Sequence, residues 1–230
     1  MRALSGLLAV LLLPSLAAAH DLWLEPGPAG YELRYGHAPG GHDGAATLTY
    51  DADFVQRALC RSETGQTQEL PLKSGYPARF DAACAALWVE ASSGVWTTTV
   101  QGTLNAPPDG LSGVVRAWRS IESTKRLLAW NEDLSAPLGD GLELVPLHNP
   151  FDLEPGRKLR LLVTLGGQPQ PGASVAYGGE LRGVSGADGQ LNLRLREAGL
   201  QFITASIRLP AGEPGVNETI YATTLHFELE

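Results

Sequence analysis

The chain has 230 residues, with 17 Lys and Arg against 25 Asp and Glu, a formal charge of −8 at neutral pH, and its basic residues are scattered without a run. That balance excludes nucleic acid and anionic membrane surfaces as partners, because both are met through clustered positive charge. Twenty-seven Gly and 16 Pro cut the chain into short runs separated by turn signals, which leaves little room for long helices and predicts an all-β fold built as a β-sandwich in two sandwich-like halves.

In chain order, residues 1–19 come first, with one basic residue (Arg2), an apolar stretch from Leu7 to Leu13, then Pro14 and the small residues Ala17, Ala18 and Ala19. This is the pattern of a secretory signal peptide with its cut before His20, and it predicts a periplasmic protein. The apolar stretch falls short of the roughly 20 residues of a spanning helix, and no later segment approaches that length, so no membrane insertion is expected after cleavage. Loss of Arg2 would make the formal charge −9.

The remainder reads as an N-terminal β-rich domain over 20–141 and a C-terminal β-sandwich domain over 142–230, with the prolines of LELVPLHNPFDLEPG at the boundary. Alternating or β-branched runs predict strands over Tyr31–Tyr35, Ala46–Tyr50, Ala85–Ala91, Val95–Gln101, Lys158–Leu165, Ala173–Tyr177, Gln190–Arg196, Gln201–Leu209 and Thr219–Glu228. In AWRSIESTKRLLAW, Trp118, Ile121, Lys125 and Leu128 follow helical spacing, so that segment reads as helix or strand. Asp188-Gly189 is the strongest local hairpin signal. Cys60 and Cys84, two lone thiols in an oxidising compartment, predict a disulfide; paired thiolate ligands are the alternative.

Cleavage before His20 would create chemistry that the precursor lacks. A free α-amine and the Nδ1 of the same residue can grip one metal ion in a chelate ring, and their ordinary pKa values, about 7.7 and about 6.5, let both lose protons near neutrality. The Gly-rich loop GHAPGGHDG carries His37 and His42, either of which can fold back to such a chelate, and His37 directly follows a predicted strand. Asp21 or Glu25 could add a carboxylate, while His148 and His226 read as structural. The only Met is Met1, which leaves with the leader, so no soft ligand remains, and nitrogen donors suit nickel, cobalt, zinc or cupric ion.

Nucleophile elbows, HExxH, Walker loops and dinucleotide fingerprints are absent, so no enzyme class is indicated. Asn217-Glu218-Thr219 matches a glycosylation acceptor, which matters only in a glycosylating host. Trp88 and Trp96 lie in apolar runs and read as core, whereas Trp23 is expected beside a terminal metal.

The segments HDLWLEP, YGH at 35–37, ESTKRL at 122–127, LELVP followed by NP, GASV and ADG together resemble the periplasmic component associated with bacterial nickel and cobalt uptake. The resemblance implies a β-sandwich whose second half is transthyretin-like or carboxypeptidase-regulatory-like, and delivery of metal to a membrane permease. By position it assigns the metal to His20 and Gly36-His37. No His-rich tract is present, which limits the expected capacity to one ion. Two other readings follow from the same residues: a carbohydrate- or protein-binding sandwich module that uses its Trp residues, and a cupric-ion oxidative enzyme at the same chelate.

Overall fold

Alternation of apolar side chains fixes the layers. On the strand Ala86–Thr99, Leu87, Val89 and Ala91 pack with Leu22, Leu24 and Leu33, while Ala86 and Trp88 pack with Leu144, Leu159, Leu161 and Val163 on the opposite side. Both faces of this strand are therefore buried, and the molecule has three layers. These features come from a computed structural model, which describes residues 20–38, 46–81 and 83–230. The expected leader at 1–19 and the loop residues His42 and Asp43 lie outside the described residues.

The strands are β1 (Asp21–Gly27), β2 (Gly30–His37), β3 (Ala46–Thr47), β4 (Val55–Arg61), β5 (Thr67–Glu69), β6 (Arg79–Phe80), β7 (Ala86–Thr99), β8 (Gly102–Leu104), β9 (Val114–Leu127), β10 (Glu143–Pro146), β11 (Lys158–Leu165), β12 (Gln168–Pro169), β13 (Ser174–Tyr177), β14 (Glu180–Val184), β15 (Gln190–Arg194), β16 (Gly199–Pro210) and β17 (Glu218–Leu229). The middle layer is a nine-stranded sheet in the order β14-β13-β16-β17-β9-β7-β4-β5, with β8 also on β7. One outer layer is β1-β2-β3 with β6 on β2, and the other is β10-β11-β12 with β15 on β11. The chain is thus all-β and sandwich-like. The middle sheet takes strands from both sides of residue 141, joined where β9 and β17 pair in parallel. Among the described residues no helix is long and apolar enough to cross a membrane.

The segment with helical spacing is a strand. β9 is hydrogen-bonded on both sides, antiparallel to β7 and parallel to β17. Trp118, Ser120 and Glu122 thereby share one face and Ser123, Lys125 and Leu127 the other. Two sheet neighbours outweigh the local period. The runs Ala85–Ala91 and Val95–Gln101 merge into β7, whose register shifts between Ala91 and Gly94. The turn at Asp188-Gly189 forms, with the Gln190 amide donating to Asp188 at 3.0 Å. It carries the chain from β14 in the middle sheet to β15 in the outer one and does not join hydrogen-bonded neighbours.

Cys60 and Cys84 form a disulfide with Cα atoms 5.4 Å apart, tying β4 to the segment that enters β7. Neither sulfur is a metal ligand. Between the middle sheet and the β10 layer, Lys125 meets Glu143 in a wholly buried ion pair. Glu143 also accepts from the Leu138 and Gly139 amides, and a Cβ at Gly139 would collide with the Trp88 ring, so glycine lets that turn close over the core.

Candidate metal centre

The β1–β2 register sets the site. Asp21 pairs with Gly36, so the next position outward on each strand sets His20 against His37. Their ring centroids are 5.2 Å apart with planes at 75°. Gly36 takes φ +139°, and a Cβ there would strike the Ala46 carbonyl oxygen where β3 joins β2, so the Gly-His pair is a backbone requirement of this corner.

The His20 Nδ1 lies 3.3 Å from the Tyr35 hydroxyl, and the two rings meet edge to face at 5.2 Å. Burial, and secondarily the nearby His37, lowers the His20 pKa, which keeps the ring neutral and able to donate a lone pair. Burial, with Glu122 nearby, pushes the Tyr35 phenol up to about 12, so it stays protonated. The Asp21 carboxylate accepts from the Ala38 amide at 3.2 Å and latches the strand end. Glu25 accepts from Trp23 Nε1 at 2.8 Å and from Arg34 at 3.0 Å. Among the described residues no group of three or more His, Cys, Asp or Glu side chains is placed to hold an ion.

His20 shares its side of β1 with Leu22 and Leu24, which pack onto the middle sheet, and three cavities, of about 220, 620 and 350 Å³, all have His20 in their walls. The 350 Å³ cleft is lined by Trp96 and Trp118, direct cross-strand partners with centroids 6.4 Å apart and planes at 11°. Arg116 lies 5.2 Å over the Trp118 ring, and both Arg116 and Arg208 contact the Glu218 carboxylate. Deeper, Glu122 is only 3% exposed and accepts from Ser120 Oγ at 2.7 Å and Ser93 Oγ at 3.1 Å. Burial raises its pKa, and the serine hydrogen bonds oppose that shift.

The expectation that Trp23 neighbours the metal held by His20 finds no support, because alternation turns Trp23 to the opposite side of β1, where it bonds Glu25. Trp96 and Trp118 take that place. Trp88 is core, while Trp96 is half-buried and lines the cleft. Nothing in the sequence assigns Tyr35, Ser93 or Glu122 a place at the site; the two-residue spacing of Trp118, Ser120 and Glu122 is the signal that puts part of this wall on a single face. His226 is buried against Arg126, whose guanidinium lies 3.2 Å from Nδ1, and His148 sits in the turn after β10. His42 lies outside the described residues.

No curated protein and no solved structure matches the chain. One family does: its model matches residues 17–209, covering most of the sequence, and the chain belongs to the family described as Domain of unknown function (DUF4198).

Proposed function

We propose that this is a periplasmic binding protein for one divalent transition-metal ion, nickel or cobalt, that supports metal uptake through a membrane permease. Signal cleavage before His20 frees its α-amine, which grips the ion together with its own imidazole, and the His37 imidazole adds a third nitrogen. Water or His42 completes the set. The observation that carries this reading is the 5.2 Å separation of the His20 and His37 rings. Ring nitrogens about 2.1 Å from a shared ion require centroids within about 6.5 Å of each other, so the pair meets that requirement.

The donor chemistry narrows the metal. Neither sulfur is free, because Cys60 and Cys84 are bridged, and the nearest carboxylates already accept hydrogen bonds. Nitrogen donors suit nickel, cobalt, zinc and cupric ion. Nickel or cobalt is favoured by the resemblance of HDLWLEP, YGH and LELVP to the uptake-associated proteins. Replacing His37 with Ala should weaken nickel binding by more than about a hundredfold, since even removal of an outer-sphere partner costs 10–100-fold. Unchanged affinity in calorimetry would remove His37 from the site.

A further inference from the structure

The cleft beside His20 names a second ligand, an inference that rests on the metal reading above. An amine and two imidazoles supply three nitrogens, whereas these divalent ions take four or more donors. Among the described residues no third His, Cys, Asp or Glu side chain joins His20 and His37. Beside His20 is a cleft of about 350 Å³, which exceeds a single water's share of about 30 Å³ and falls in the size range of small-molecule sites.

Its wall has a definite chemistry. Trp96 and Trp118 offer apolar ring surface, half-buried and nearly parallel. Arg116 and Arg208 line the cleft and share the Glu218 carboxylate, while the other carboxylate of the wall, Glu122, is held by Ser93 and Ser120. The Arg116 Nε is buried and finds no acceptor among the described residues. Such a wall fits an anion with a flat ring, because guanidinium matches carboxylate and tryptophan matches a ring face.

We propose that the cleft receives a small ring-bearing carboxylate that is itself a metal chelator, with its ring against Trp96 and Trp118, a carboxylate on Arg116 and its donor atoms on the ion held by His20. The protein thus takes its metal as a complex with an organic acid. Nitrogen ligands from the chain hold the ion, and the acid fills positions that water would otherwise occupy.

The test uses pyridine-2,5-dicarboxylate, which has a chelating end and a second carboxylate across the ring, and picolinate, which lacks that second carboxylate. Each is titrated into processed protein with and without nickel, read by tryptophan fluorescence and calorimetry. The dicarboxylate should bind nickel-loaded protein about tenfold or more tightly than metal-free protein, and Trp118→Ala and Arg116→Gln should each weaken it by about tenfold. Arg116→Gln should leave picolinate binding unchanged, and both variants should keep their circular dichroism and their affinity for nickel alone. If nickel binds but the dicarboxylate ignores both substitutions or the bound metal, the cleft proposal is overturned and the metal reading stands. If nickel alone does not bind, both fall.

Discussion

Lys125 Nζ lies 2.6 Å from Glu143 Oε1, and the two side chains are 1% and 0% exposed. The pair joins β9 in the middle sheet to β10 in the outer layer, and with it the ESTKRL and LELVP segments. Desolvation lowers the Lys125 pKa, and Glu143 opposes that shift. Removing one partner strands the other as a buried charge, which costs about 3–5 kcal/mol. Lys125→Met should therefore destabilise the protein by that amount in urea denaturation; a loss below about 1 kcal/mol would contradict this role.

A second prediction concerns the disulfide. Its two cysteines are 24 positions apart, and in the chain-entropy account a loop of that size stabilises the fold by about 3.5 kcal/mol. The double substitution Cys60→Ala, Cys84→Ala should lower stability by about that much. Nickel affinity should be unaffected, because the sulfurs are not ligands; a large drop in affinity of the folded variant would reinstate them.

His226 gives the fold a pH dependence. Burial, then the Arg126 charge, holds its pKa well below 6.5 in the folded state. The unfolded chain takes up a proton near pH 6.5 that the folded chain refuses, so stability is present above that pH and is lost as pH falls toward the folded pKa. The slope from one such group reaches at most about 1.4 kcal/mol per pH unit. His20, also lowered, acts in the same direction, whereas Glu122, raised by burial, stabilises as pH falls through its folded pKa. The difference between wild type and His226→Gln isolates the effect: between pH 6.5 and 5 the variant should lose stability less steeply. Parallel stability curves would show that His226 is not buried as a neutral ring.

The proposed metal binding carries its own pH dependence. Protons compete for the His20 amine, whose ordinary pKa is about 7.7, and for the imidazole donors, and burial lowers the His20 imidazole pKa so that its own competition sets in at lower pH. Apparent nickel affinity should fall steadily below about pH 6, and binding that persists unchanged at pH 4.5 would mean other donors hold the ion.

Where a strand's neighbours agreed with its local pattern, the fold was legible: Lys158–Leu165 is β11 as expected, and the alternation of TIYATTLHFELE appears as β17. Short, exposed or two-sided strands were not. β9 is buried on both faces from Glu122 to Leu127, which breaks the polar–apolar alternation and leaves Trp118, Ile121, Lys125 and Leu128 in a spacing that imitates a helix. At the site, the sequence offered His20 because it follows the expected leader at 1–19, and His37 because it follows the strand predicted over Tyr31–Tyr35. Beyond the spacing of Trp118, Ser120 and Glu122, the cleft was not legible, because it depends on β1 lying across β9 and β17, contacts between residues one to two hundred positions apart, such as Arg126 with the Leu24 carbonyl and the Leu24 amide with His226. Trp23 misled for the same reason: adjacency in sequence is not adjacency across a pleated strand.

The metal proposal stands or falls with the His20 amine as a donor to the ion. Calorimetric titration of nickel into two forms of the protein tests it directly, one starting at His20 and one carrying a single extra Ala before it. The account predicts tight one-to-one binding by the first and a loss of at least about a hundredfold by the second, whose amine has become an amide. Equal affinity in the two forms would contradict it.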